Sequence, residues 1–75
     1  MSENVTAKMI EVKINGEPRQ IKGGASLTDL VAILNLPTQR IAIERNLEIV
    51  SKGNWSETRL ADGDSLEIVH FVGGG

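Results

Sequence analysis

Apolar and polar residues alternate from Met9 onward, and the apolar positions share one face of an extended chain: Ile10, Val12 and Ile14. Strict alternation predicts a half-buried β-strand. Asn15-Gly16 follows at once and is typical of a type I′ hairpin turn, so Glu17 to Ile21 is predicted to return as a second strand. Pro18 has no backbone N–H to donate to a ladder, which places this second strand at a sheet edge.

A helical period replaces the alternation after Gly23-Gly24, which is expected to form a turn. Four apolar residues then recur at spacings of three and four and form one stripe: Leu27, Leu30, Val31 and Leu34. Ser26 is the predicted N-cap, and Asp29 stands three residues later in the position of a capping-box acid. We therefore predict a helix over residues 26–35, ended by Asn35 to Pro37.

The second half of the chain carries shorter strand signals. Ile41 to Ile43 and Glu48 to Val50 are predicted as short strands, and Ser65 to Val72 as the longest one. Residues 51–58 show no period and are expected to be irregular, with Trp55 covering one end of the core. Asp62-Gly63-Asp64 is better explained as a turn than as part of a metal-binding loop.

The element order predicts an α+β fold with one main helix on one face of a mixed sheet of four to five strands. With the last strand inserted beside the first, this is the β-grasp, ubiquitin-like architecture. We expect a flexible N-terminal extension over residues 1–8, a β-grasp domain over 9–72 and a flexible tail over 73–75. The predicted core joins the sheet and the helix: Ile10, Val12, Ile14, Leu30, Val31, Leu34, Ile43, Leu66 and Ile68.

The composition narrows the possible functions. Seventy-five residues allow one small domain. Cysteine and tyrosine are absent and His70 is the single histidine, so a conventional catalytic site is hard to assemble and a carrier or binding role is favoured. We expect His70 to be packed and hydrogen-bonded on the inner side of its strand.

The charge and hydropathy of the chain disfavour nucleic acid and membranes as partners. The net charge is −2, and the lysines and arginines are scattered singly, so neither nucleic acid nor an anionic membrane surface is an expected partner. No stretch approaches the roughly 18 apolar residues of a spanning helix. Residues 1–8 lack an apolar signal core, so a cytoplasmic location is expected.

Gly73-Gly74-Gly75 is the most informative motif of the sequence. One interpretation is an untethered linker or tail. The other is a reactive tail, because glycine lacks Cβ and can thread a narrow channel that brings its α-carboxylate to a partner's catalytic atoms. A free carboxylate is a poor acyl donor, and adenylation by ATP supplies the missing leaving group.

The residues around the glycines resemble one family. Asp62-Gly63-Asp64, then Leu66 to Val72, then the three glycines are similar to the closing segment of the ThiS family, the bacterial sulfur carriers of thiazole synthesis. The resemblance extends over roughly Met9 to Gly75 and includes upstream segments: Asn15-Gly16, Leu27 to Leu34, Ile41 to Glu44, Glu48 to Val50 and Trp55. The N-terminal extension is longer than the usual start of the family.

The resemblance implies a role for each glycine. Gly75 carries the reactive carbonyl, Gly74 gives clearance beside it, and Gly73 is a spacer. The resemblance also implies three partners: a ThiF-type E1-like adenylyltransferase that uses ATP, a sulfur donor such as a cysteine desulfurase, and thiazole synthase (ThiG). Thiazole synthase would receive the sulfur from the resulting thiocarboxylate. The protein would be a cosubstrate rather than an enzyme, with no bound cofactor, and a monomer on its own.

Two apolar residues of the last strand alternate away from its core positions and stand beside the tail: Val69 and Phe71. They predict a docking patch, around which three acids would steer a basic partner: Glu44, Glu48 and Glu67. Alternatively, Phe71 caps the core and the acids form a solvated face. Two other functions share the same tail chemistry, namely the small sulfur-carrier subunit of molybdopterin synthase and a ubiquitin-like protein modifier.

Overall fold

The computed structural model describes residues 8–71. The predicted flexible extension, apart from Lys8, and the predicted glycine tail lie outside these residues, as does Val72. The described part contains five strands and one α-helix: β1 (Met9–Ile14), β2 (Glu17–Lys22), α1 (Leu27–Ile33), β3 (Ile41–Arg45), β4 (Glu48–Val50) and β5 (Ser65–His70). Two 3₁₀ helices join them: Thr38–Arg40 and Lys52–Glu57. Within this range no helix has the length and apolar character needed to cross a membrane.

The strands form one mixed sheet in the order β2-β1-β5-β3-β4. β1 and β5 are parallel, with Ile14 opposite Leu66, and the other neighbours are antiparallel. The Asn15-Gly16 turn has positive φ at both residues, as a type I′ turn requires, and β2 lies at the edge. The predicted α+β β-grasp fold, with the last strand inserted beside the first, is therefore confirmed.

The start of α1 carries the predicted capping box. Ser26 Oγ accepts a hydrogen bond from Asp29 N–H at 3.1 Å, and the Asp29 carboxylate accepts one from Ser26 N–H at 2.9 Å. The second bond is the largest cause that lowers the pKa of Asp29 below its ordinary value. The reciprocal pair satisfies two amides that the first turn of a helix leaves without partners.

The end of α1 comes earlier than the predicted residue 35. Asn35 adopts φ +56°, and its N–H donates to Ala32 O at 3.1 Å, while Leu36 N–H donates to Val31 O at 3.0 Å. This pair of bonds is the Schellman motif, which closes a helix through one left-handed residue. Asn35 thus ends the helix two residues after Ile33.

The core lies between α1 and one face of the sheet, and every strand except β4 contributes buried apolar residues to it. The buried apolar residues are Val12, Ile21, Ala25, Leu27, Leu30, Val31, Ile41, Ile43, Trp55, Leu60, Leu66 and Ile68. Three predicted core residues are only partly buried against this cluster: Ile10, Ile14 and Leu34. Trp55 is 3% exposed and donates Nε1–H to Val50 O at 3.0 Å, which confirms its place in the core. Its segment is a 3₁₀ helix, so the expectation of irregular structure was wrong.

Candidate tail root and docking face

β5 leads directly to the glycine tail, and its pairing with β3 continues to the last described residue. His70 lies opposite Ile41, and Phe71 N–H donates to Arg40 O at 2.7 Å. The strand is therefore held on its β3 side up to Phe71. Gly73, Gly74 and Gly75, the predicted reactive residues, lie outside the described residues.

On its other side β5 is held by β1 and then by a side chain. Asn15 N–H donates to Leu66 O at 2.8 Å, after which the backbone of Asn15 turns away with φ +52°. The Asn15 carboxamide then accepts Ile68 N–H at 2.8 Å through Oδ1 and donates to Ile68 O at 3.3 Å through Nδ2. The Asn15-Gly16 motif predicts the turn, but no local pattern predicts this second contact.

The start of β5 is fixed around a buried carboxylate, Asp64. It accepts hydrogen bonds from Arg45 Nε at 2.9 Å, Asn46 Nδ2 at 3.1 Å and Ala61 N–H at 2.9 Å. Burial on its own raises the pKa of Asp64, but the bonds from Ala61, Arg45 and Asn46 outweigh it and hold the pKa below its ordinary value. Asn46 Oδ1 also accepts Ser65 N–H at 2.9 Å, so the β3–β4 turn holds the first residue of β5.

The turn that contains Asp64 has the predicted form. Gly63 adopts φ +92°, and Asp64 N–H donates to Ala61 O at 3.0 Å across the turn. Asp62 Oδ1 accepts Glu11 N–H at 2.8 Å, which attaches the turn to β1. The carboxylates of both aspartates therefore accept hydrogen bonds that hold the turn in place. This role agrees with the predicted turn and needs no metal ion.

The face of the sheet that points away from α1 is the outer face, and it carries the predicted docking residues. Val69 lies opposite Ala42, and the two side chains alternate away from the buried Ile68 and Ile43. Val69 is 51% exposed and Phe71, two residues on, is 55% exposed. The alternative in which Phe71 caps the core is therefore wrong.

Ile49 extends the outer face at the β4 edge. It lies opposite Glu44 in the ladder between β3 and β4 and is 73% exposed. Ile49 was not among the predicted docking residues, although its alternation with Val50, which packs against the core, was the available signal. The outer face thus presents apolar groups on three adjacent strands.

Two of the three predicted acids lie on this outer face. Glu44 and Glu67 are directly opposite one another in the β3–β5 ladder. Like charges in this position repel each other, and among residues 8–71 neither carboxylate has a salt-bridge partner. Glu48 lies opposite Arg45 on the other side of the sheet, so its predicted place beside the patch was wrong.

His70 does not have the predicted environment. Register places it opposite the buried Ile41, on the side of the sheet that faces α1, yet its side chain is exposed. The alternation correctly gave the side of the strand, but the core does not extend over this end of β5. The expectation of a packed histidine was therefore wrong.

Comparison with known proteins defines the chain further. The fold and the strand that leads into the glycine tail define a small β-grasp protein of the ubiquitin-like class. The family model that matches, described as the ThiS family, spans residues 12–75. The sulfur carrier protein ThiS of Bacillus subtilis is 40% identical over 65 residues, a match that covers 85% of this chain and 98% of that protein. The chain belongs to the ThiS family.

A solved structure and two longer proteins complete the comparison. The crystal structure of the thiamine biosynthesis protein ThiS from Geobacter metallireducens matches with a TM-score of 0.79 and 26% identity, over 88% of this chain and 100% of that one. A thiazole synthase of Paramagnetospirillum magneticum is 41% identical over 66 residues, and one of Magnetococcus marinus is 36% identical over 66 residues. The chain spans 20% of the length of each thiazole synthase.

Proposed function

We propose that this protein carries sulfur for thiazole formation in thiamin biosynthesis, with the α-carboxylate of Gly75 as the carrier group. The observation that supports this most strongly is the membership of the ThiS family over residues 12–75, which includes the three glycines. The protein acts as a cosubstrate of other enzymes in the cytoplasm. It needs no bound cofactor, because the activating partner brings the ATP.

The proposed chemistry proceeds by an adenylyl transfer to Gly75, followed by an acyl transfer to sulfur. A carboxylate oxygen of Gly75 attacks the α-phosphorus of ATP, pyrophosphate leaves, and an acyl-adenylate forms on a ThiF-type activating enzyme. The terminal sulfur of a donor persulfide, such as that of a cysteine desulfurase, then attacks the acyl carbon, AMP leaves, and an acyl disulfide forms. A thiol reductant supplies the two electrons that cleave this disulfide and leave the thiocarboxylate, from which thiazole synthase takes the sulfur. Gly74 provides clearance in the partner's channel and Gly73 acts as the spacer.

The outer face supports this proposal by offering a docking surface next to the root of the tail. Val69 and Phe71 provide exposed apolar area, and Phe71 stands four residues before Gly75. Glu44 and Glu67 add negative charge that complements a basic partner surface and speeds encounter. We propose that this face docks on the activating enzyme and on thiazole synthase.

The acceptor is proposed to be thiazole synthase rather than molybdopterin synthase. Two curated thiazole synthases contain a segment that is similar to this chain over 66 residues. This likeness gives a specific reason to pair the carrier with thiazole formation. The protein-modifier alternative has no comparable observation in its favour.

The test of the proposed function uses a glycine variant and a matched control. Gly74→Val adds a branched Cβ at the position where the partner's channel is expected to hold none, so ATP-dependent pyrophosphate release with the activating enzyme should fall sharply. Gly53→Val is the control, because a Cβ at Gly53 would meet no atom within 4 Å and this site is distant from the tail in sequence. Equal rates for Gly74→Val and wild type would contradict the proposed reactive tail.

A further inference from the structure

The half of β5 nearest the tail has a strand on one side only. β1 ends at Ile14, opposite Leu66, whereas β3 remains paired as far as His70. On the β1 side, within residues 8–71, the hydrogen bonds to β5 beyond Leu66 are the two that the Asn15 side chain makes with Ile68. The direction in which the chain leaves the sheet therefore depends on β3 and on this one carboxamide.

The Asn15 carboxamide occupies the place of the next peptide group of β1. In a parallel ladder, a residue donates its N–H to one residue of the neighbouring strand and accepts at its C=O from the residue two positions later. Asn15 makes the first bond with its backbone, to Leu66 O at 2.8 Å. Its side-chain Oδ1 makes the second, with Ile68 N–H at 2.8 Å, and Nδ2 continues the ladder to Ile68 O at 3.3 Å.

We propose that Asn15 is a positioning residue for the adenylation of the tail, an inference that rests on the proposed function. The chain from Ile68 to Gly75 is seven residues long, and seven extended residues span at most about 25 Å. When the partner's channel holds the tail extended, a small change of direction at Ile68 therefore displaces the far end considerably. Reacting atoms must stand within about 3–3.5 Å and in line, so the root has to be fixed before the carboxylate meets ATP.

Asn46 provides a matched control for this role. It has the same φ of +52° as Asn15, occupies the first position of the other hairpin turn, and its Oδ1 accepts a backbone N–H of β5 at 2.9 Å. That N–H belongs to Ser65, at the end of β5 away from the tail. Asn46 also bonds Asp64, so removing its side chain should cost at least as much stability as removing that of Asn15. Glycine accepts a positive φ, so both Asn→Gly changes suit the turn backbone.

The experiment measures the steady-state rate of pyrophosphate release from ATP by the activating enzyme, with increasing concentrations of each carrier. Asn15→Gly should lower kcat about fivefold, the factor that corresponds to the net contribution of about one hydrogen bond. Its KM should stay within about twofold of wild type, because the outer face is unchanged. Asn46→Gly should leave both constants within about twofold of wild type.

Two further measurements separate positioning from general loss of stability. Asn15→Asp keeps the acceptor for Ile68 N–H and loses the donor to Ile68 O, so its kcat should lie between those of wild type and Asn15→Gly. Amide exchange of Phe71, whose N–H donates to Arg40 O, should be faster in Asn15→Gly and unchanged in Asn46→Gly.

The outcomes distinguish this inference from the function on which it rests. If wild type releases no pyrophosphate with the activating enzyme, the proposed function fails, and the positioning role fails with it. If wild type reacts and the two Asn→Gly variants share the same kcat, the proposed function stands and the positioning role is refuted. A fall in kcat for Asn15→Gly alone, with intermediate Asn15→Asp, supports the inference.

Discussion

Asp64 is the buried carboxylate at the start of β5, and replacing it with alanine tests how firmly that strand is held. The carboxylate accepts three hydrogen bonds, from Arg45 Nε at 2.9 Å, Asn46 Nδ2 at 3.1 Å and Ala61 N–H at 2.9 Å. At a net contribution of about 0.5–1.5 kcal/mol each, the loss of all three should lower the free energy of unfolding by about 1.5–4.5 kcal/mol. A domain of this size has little stability in reserve, so the change should be easy to measure.

The effect of Asp64→Ala depends on pH in a defined direction. Folding lowers the pKa of Asp64, so the contribution of this group is complete above its unfolded-state pKa of about 3.9 and is lost as the pH falls through the lower folded-state pKa. The difference in unfolding free energy between wild type and Asp64→Ala should therefore be largest near neutral pH and should shrink below about pH 4.

Denaturant unfolding at about pH 7 and about pH 3 measures both effects. Asp62→Asn is the control from the same turn, because its side-chain oxygen can still accept Glu11 N–H, a bond of 2.8 Å in the wild type. This control should change stability by less than about 0.5 kcal/mol. A loss for Asp64→Ala no greater than that of Asp62→Asn, or a loss that grows in acid, would refute the role assigned to Asp64.

Three further substitutions test the core, the outer face and a strained turn. Leu30→Ala should lower the free energy of unfolding by about 2–5 kcal/mol, since Leu30 is fully buried, and a near-neutral result in denaturant unfolding would contradict the packing of α1. Phe71→Asp should weaken binding to the activating enzyme and to thiazole synthase, as measured by calorimetry, while the fold stays intact. Ile33→Asp, at an exposed apolar residue of α1, is the control and should leave both affinities unchanged. Unchanged affinity for Phe71→Asp would contradict the proposed docking face. Leu47→Gly should raise the melting temperature and increase the free energy of unfolding by about 0.5–1 kcal/mol. The reason is that Leu47 is 89% exposed and adopts φ +75°, a conformation strained for leucine. A loss of stability would contradict strain at this turn.

The parts of the fold that the sequence predicted are those in which a local pattern and a local signal agree. Alternation before Asn15-Gly16 gave the first hairpin, and the capping box at Ser26 gave the start of α1. Residues 52–57 form a 3₁₀ helix around the buried Trp55, and no apolar periodicity in the sequence predicts this helix. There the decisive force is the burial of one large side chain rather than a repeated pattern.

The contacts that fix β5 could not be predicted from local sequence patterns, because each joins residues far apart in the chain. The local sequence accounts for Asp64 as a turn residue, yet its carboxylate accepts hydrogen bonds from Arg45, the last residue of β3, and from Asn46 of the β3–β4 turn. Asn15 likewise satisfies a turn signal while its side chain reaches Ile68. His70 shows the complementary limit, since alternation gives the side of a strand and not how far the core covers it.

The most direct test of the central claim, that Gly75 carries sulfur, is the intact mass of the protein after incubation with ATP, the activating enzyme and a sulfur donor. A carrier role for Gly75 predicts a gain equal to the mass difference between sulfur and oxygen, confined to the peptide that contains Gly75. It also predicts a return to the original mass when thiazole synthase and its substrates consume the sulfur. A protein that keeps its original mass throughout, or gains the sulfur elsewhere in the chain, would contradict it.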